Sequence, residues 1–471
     1  MRFAAAAGCA IAVVVAAVAV ACGSLGFVCE ADAQCRDGDR EGVCEASGAC
    51  SFDDPSCDSG RRYGAQAAGD LAGACVVEGG SSSSGGSGSA VTSLDASSIS
   101  GTTASSTSSA SSVDGSSGTT GESSTPDVPP SCPADWHDCG ARRRVALTPM
   151  PLLVGALADV IVPVTLTPER FDYDTAADDG RDLRVFDGDG APVPYVREPW
   201  HPDGSSVVWL RLSLLDASTV WLYWGDPLAA DAATVDDPAT VWADHGGVWH
   251  LGATVADATG HAVDGVVSGN VTEDVGQLDA GLRFVDATSR VEVASNDAIA
   301  DLCVDGCTIS AWIWPASFGG SLRGRIADKS NGSELGWMFY VSGDDGGDIR
   351  FRQGFSSSQA IWASEPGSLT LGEWHLVAVT YEMGNAFSPP QIYIDGQQRE
   401  VHLDNAPAPG IPLSDGDLPM IVGNSEVVDR WFDGVLDELR LEPGLRGPEI
   451  FELRWVAEQD QLFAYGEIES W

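Results

Sequence analysis

Hydrophobic and polar positions change their period several times along the chain. Phe3 to Ala21 form one apolar run behind the single basic residue Arg2. Between 79 and 131 apolar periodicity vanishes, because 37 of those 53 residues are Ser, Thr or Gly. Such a composition cannot offset the entropy of ordering, so a disordered tether with a root-mean-square span of roughly 40 Å is predicted. From 142 to 240 the pattern is strand-like: "VIVPVTL", then "LRVFDGDGAPVPYVR" as strand, Asp-Gly turn and strand, then "SSVVWLRLSLL" and "STVWLYWG". From 241 to 471 strand-sized runs recur at short spacing, including "CTISAWIWP", "GWMFYVSG", "EWHLVAVTYE" and "FDGVLDELRL". Residues from Pro448, "PEIFELRWVAEQ", have helical spacing and are predicted to cover a sheet edge. The expected fold class is all-β, with two β-sandwich domains of which the second is a jelly roll.

The opening run has the form of a secretory signal, with a retained transmembrane anchor as the competing reading. Its end, Ala19-Val20-Ala21-Cys22, resembles the lipobox of bacterial lipoproteins. That resemblance implies lipidation of Cys22 and a lipid anchor in a membrane, with plain secretion as the alternative. Of the twelve cysteines, Cys9 would leave with the signal and a lipidated Cys22 cannot cross-link, so ten remain: Cys29, Cys35, Cys44, Cys50, Cys57, Cys75, Cys132, Cys139, Cys303 and Cys307. An even number in an exported chain suits disulfides. Six of them fall between 29 and 75, a stretch too poor in large apolar residues to build a core without cross-links. His137, between Cys132 and Cys139, leaves a metal site there as the competing reading. The predicted organisation is a signal at 1–21, a Cys-rich segment at 22–78, the tether at 79–131, and sandwiches at 132–240 and 241–471.

Charge narrows the partners. With 69 acidic residues against 25 basic ones, of which Lys329 is the one lysine, the net charge is −44. Such a surface repels nucleic acid and anionic lipid.

Two resemblances add to this reading. "FDYDTAADDGRDLRVFDGDGAPVPYVREPW", "SSVVWLRL" and "VWLYWGDPLA" resemble the domain of unknown function 2341, which implies no activity. The ordered motifs from "VWADHGGVWHLG" to "FDGVLDELRL" resemble the LamG-like jellyroll domain of the concanavalin A-like lectin/glucanase superfamily. This second resemblance implies non-catalytic binding of polysaccharide or a surface protein on the outside of the cell envelope. An envelope structural component and a divergent glycoside hydrolase are the alternatives.

Chemistry turns on Asp437 and Glu438. Neighbours in a strand point to opposite faces, so Asp437 is expected beside Val435, Leu439 and Leu441, and Glu438 beside Leu436 and Arg440. Carboxylates so arranged cannot converge on one glycosidic bond. No Glu-x-Asp-x-x-Glu run, His-Glu-x-x-His pair or nucleophile elbow in a structured segment compensates. No catalytic residue is therefore assigned. Asp437 needs backbone N–H donors, an arginine or a cation. The resemblance implies one structural Ca²⁺ held by Asp257 and Asp437, since first and last strands of a jelly roll lie side by side. Trp312, Trp314 and Trp337 are candidates for stacking on sugar rings, with core packing as the bland alternative. His250 and His375 are expected to pack or hydrogen-bond within strands.

Overall fold

The computed structural model describes residues 35–37, 40–45, 49–54, 57, 59–63 and 74–76, then 132–471 apart from 152–154, 227, 230–235, 357, 384–387, 407–409 and 426–429. The chain divides into a unit ending at Thr119 and a second beginning at Thr120. In the first unit, short strands at Val43–Cys44, Cys50–Asp53 and Arg61–Tyr63 make one small antiparallel sheet. Disulfides Cys35–Cys50 and Cys57–Cys75 staple it, and Cys44 is also disulfide-bonded.

The second unit holds both sandwiches. In the first, Leu157–Leu166 pairs with Ser206–Leu215, which pairs with Tyr195–Arg197. The facing sheet runs Phe463–Tyr465, Arg143–Pro149, Val220–Trp224, Arg184–Phe186, and Glu469–Ser470 also pairs with Arg143–Pro149. Alternate Val and Leu side chains from both sheets fill its core, with Phe171, Tyr195 and Trp224. Two details differ from the sequence pattern. Arg184–Phe186 and Tyr195–Arg197 lie in different sheets, because the Asp187 turn closes only a short hairpin, Phe186 against Pro192, before the chain passes to the other layer. The last strands, 463–470, lie in the first sandwich, so the chain ends where that domain begins.

Two eight-stranded antiparallel sheets make the jelly roll. At the centre of one, Asp433–Pro443 lies between Ala280–Phe284 and Cys307–Ser317, and Gly247–Trp249 also pairs with it. First and last strands are thus adjacent, as expected. The helix Pro448–Ala457 starts with Pro at its first turn and meets the edge strand Gln397–Arg399, as expected, but it also lies over the outer face of this sheet and sends Leu453 and Ala457 into the core of the first sandwich. Phe451 stacks on Tyr393, Trp455 stacks on Trp312, and Arg454 donates to Ser310 Oγ.

A separate apolar cluster joins the sandwiches. Val207 and Trp209, from the outer face of the first, meet Val241, Trp242, Val248 and Leu278 of the second.

Candidate functional site

The strand Asp433–Pro443 does not alternate throughout. Ser310 faces Arg440 and Trp312 faces Asp437, so two residues, Glu438 and Leu439, oppose Ala311 alone. This is a β-bulge, and Glu438 adopts φ +51°, in the left-handed region. The extra residue resets the alternation: Leu436, Leu439 and Leu441 all enter the core, whereas Asp437, Glu438 and Arg440 share the outer face. The expectation that the adjacent acids point to opposite sides is therefore corrected. Nothing in "GVLDELRL" signals a bulge, because no glycine or asparagine stands at the left-handed position.

On this outer face the acids join a buried polar network at the seam. The imidazole of His250 donates from Nδ1 to Glu438 Oε1 at 2.7 Å and lies 3.6 Å from Glu198 Oε1. Arg440 donates to Glu438 Oε2 at 2.9 Å and to Glu458 Oε1 at 2.7 Å, with its guanidinium 4.7 Å from the centre of the Trp209 ring. Trp209 Nε1 donates to Glu198. Burial would depress the His250 imidazole, but Glu438 and Glu198 outweigh it and hold its pKa above the ordinary value. Burial pushes the Glu198 carboxyl up to about 7, against the pull of His250. Burial, reinforced by the Glu438 charge, also raises Asp437 well above the carboxylate range. Glu198 and His250 line a cleft of about 440 Å³ with His201 and Asp279. Glu198, His250 and Glu438 are scattered over 240 positions without a recognisable spacing, so the sequence pattern missed this grouping.

The calcium expectation meets a donor set that does not fit. Asp257 Oδ1 accepts N–H from Val248 and Thr259, and Oδ2 accepts the Thr259 hydroxyl and the Val263 N–H. Those bonds occupy the lone pairs a calcium ion needs. Asp437 Oδ2 accepts N–H from Gln277 (2.8 Å) and Leu278 (2.9 Å), so of its three options the backbone serves it, from the 276–279 loop. Asp257 and Asp437 share no partner among the described residues. Asp257→Ala is accordingly expected to cost about 1–3 kcal/mol of stability through orphaned N–H groups. Millimolar calcium is expected to leave the unfolding midpoint of the native chain unchanged in the same thermal scans.

Burial also removes two of the three tryptophans from sugar stacking. Trp312 is 1% exposed under Trp455, with its Nε1 on Glu458, and Trp337 is 1% exposed inside the jelly-roll core. They lie in different sheets, because "GWMFYV" pairs on the opposite layer from "TISAWIWP". Trp314 is half-buried, with the Arg283 guanidinium 5.6 Å from its ring centre. Disulfides join Cys132 to Cys139 and Cys303 to Cys307. His137 packs beside Phe186 and Tyr223. Cys22 and Cys29 lie outside the described residues.

Among curated proteins, none matches this chain. Similar solved structures include the binding domain of Paraclostridial Mosquitocidal Protein 1, at 15% identity and TM-score 0.35, covering 45% of this chain and 51% of that one. Another is the botulinum neurotoxin serotype D ligand-binding domain in complex with N-acetylneuraminic acid, at 12% identity and TM-score 0.36, covering 45% and 50%. Domain 4 of an extracellular arabinanase from Geobacillus stearothermophilus, in complex with arabinotriose, matches at 14% identity and TM-score 0.32, covering 45% and 98%. The chain spans about half the length of the toxin structures it matches. In sequence, residues 179–246 match the family model of the domain of unknown function DUF2341, and residues 286–449 match that of the concanavalin A-like lectin/glucanases superfamily.

Proposed function

We propose that this is an exported, lipid-anchored surface protein whose jelly roll binds polysaccharide or another surface protein without catalysis. The observation that carries the non-catalytic reading is the sealing of the paired acids. Asp437 is 0% and Glu438 2% exposed, and Glu438 is tied to His250 and Arg440, so no sugar ring can reach between them. Burial of this pair supports the non-catalytic reading in place of the alternation that was expected to support it. Export is supported by the cross-links, since disulfides persist in oxidising compartments. Polysaccharide binding is supported by the family match and by Trp314, the one candidate ring still reached by solvent. A protein partner is favoured instead by Val266, Val267 and Val275, which are 65%, 45% and 76% exposed on two edge strands.

Two measurements test the proposal. On a glycan array, the chain is expected to retain polysaccharides, and Trp314→Ala to weaken that retention. A blank array, together with release of reducing sugar from soluble polysaccharide, would replace binding by hydrolysis. In cells, Cys22→Ser is expected to move the protein from the membrane fraction to the medium and to abolish labelling by a fatty-acid analogue. Retention in the membrane without label would mean a spanning anchor.

A further inference from the structure

The seam carries a second capacity beyond glycan or protein binding. We infer that Glu198, His250 and Glu438 form a site for a divalent transition-metal ion of the zinc class, fastening the first sandwich to the second.

Their donor atoms, one from each side chain, all lie within 4.8 Å of one another. A tetrahedral zinc ion with bonds of about 2.0–2.1 Å places its donors about 3.3–3.5 Å apart. The 3.6 Å between His250 Nδ1 and Glu198 Oε1 is already near that spacing. The 2.7 Å between His250 Nδ1 and Glu438 Oε1 is a hydrogen bond, which opens by less than an ångström once the shared proton leaves. Two of the donors are held by neighbouring groups, as metal ligands generally are. Arg440 holds Glu438 Oε2 and leaves Oε1 turned toward the imidazole, and Trp209 stacks on the His250 ring at 5.8 Å. Glu198 Oε1 accepts the Trp209 N–H, which leaves its second lone pair and Oε2 for an ion.

Three protein donors leave a fourth position, and the adjacent cleft with His201 and Asp279 gives water or a ligand room to occupy it.

The donor chemistry selects the ion. One imidazole nitrogen with two carboxylates suits zinc, whereas calcium takes six to eight oxygens and magnesium keeps its waters. Because Glu198 belongs to the first sandwich and the other two donors to the second, occupancy would couple their stabilities.

The test uses the untagged full chain, stripped with a chelator and dialysed. Calorimetric titration with zinc is expected to show one equivalent bound at micromolar or tighter affinity, and cobalt(II) in its place to give the intense visible bands of a tetrahedral site. Magnesium and calcium are expected to give no saturable heat. Glu198→Gln keeps the side chain's shape and should weaken zinc more than tenfold while the disulfide-stapled fold persists by circular dichroism. Absence of saturable zinc binding, or a cobalt spectrum of octahedral type, overturns the site, leaving an ion-paired triad. Equal affinity in Glu198→Gln and native protein would place the metal elsewhere. The cobalt measurement on native protein decides the question even if that variant fails to fold.

Discussion

Replacing Arg440 by methionine is expected to lower the stability of the paired sandwiches by about 3–5 kcal/mol, the cost of removing one partner from a buried ion pair. Arg440 is fully buried and holds Glu438 and Glu458 at once, beneath Trp209 and Trp242. Methionine matches the aliphatic stem, so lost packing is small and the penalty falls on two carboxylates stripped of a counter-charge. Glu438 keeps His250, but Glu458 retains only the Trp312 N–H among the side-chain contacts described. Adding Glu458→Gln to the Arg440→Met background should therefore recover part of the loss, because a neutral amide is cheaper to bury than an unpaired charge. Chemical denaturation followed by tryptophan fluorescence measures both. Unchanged unfolding of Arg440→Met would mean that water reaches the seam and the network is solvated.

The same face explains what the sequence pattern could and could not reveal. Strands such as "VIVPVTL" and "TISAWIW" were legible because alternate burial is written residue by residue, and turns because Asp and Gly tolerate positive φ. The neighbouring first and last strands follow from jelly-roll topology. The bulge was not legible: its left-handed residue is a glutamate, held there by His250 and Arg440, contacts that exist only after folding. One inserted residue thus puts Asp437 and Leu439, which strict alternation assigns to one face, on opposite faces, and brings Glu438 to the side of Asp437. The tryptophans show a related limit. Sequence left Trp312 open to sugar stacking or to packing, and the helix Pro448–Ala457 decides it by covering the ring, a destination set by tertiary packing and not by the helix's own periodicity. Glu198 could not be connected with His250 and Glu438 at all, because a second domain brings it there.

Acid is expected to destabilise the protein through His245, and replacing that residue should blunt the effect. His245 is 4% exposed, edge-on to Trp242, and both of its ring nitrogens lack hydrogen-bond partners among the described residues. Burial is the main reason its pKa falls to about 3 from the ordinary 6.5; Glu442, 3.6 Å away, pulls upward, and Arg454, Arg440 and Arg446 reinforce the fall. A base whose pKa is depressed by folding takes up its proton more readily when unfolded. Its contribution is thus fully present above pH 6.5 and is lost as pH falls toward 3. At 1.36 kcal/mol per unit, the loss reaches about 3 kcal/mol by pH 4. Glu442, held far below the carboxylate range by Arg454 and Arg446 despite its burial, stays ionised in the folded protein over this window, and its own loss begins only below the ordinary carboxylate pKa and is common to both proteins. His245→Leu removes the titrating ring but leaves Asp159, Arg211, Asp244, Arg446 and Arg454, which line the small cavity around it, in place. Denaturant unfolding of both proteins at pH 7 and pH 4 isolates the His245 contribution, since every other titrating group is common to the two. The stability difference between native protein and His245→Leu should shift by about 3 kcal/mol between those pH values, to the native protein's disadvantage in acid. An unchanged difference would mean that water or a flipped ring lets the imidazole charge in place, so that the interior around Trp242 is wetter than its packing implies.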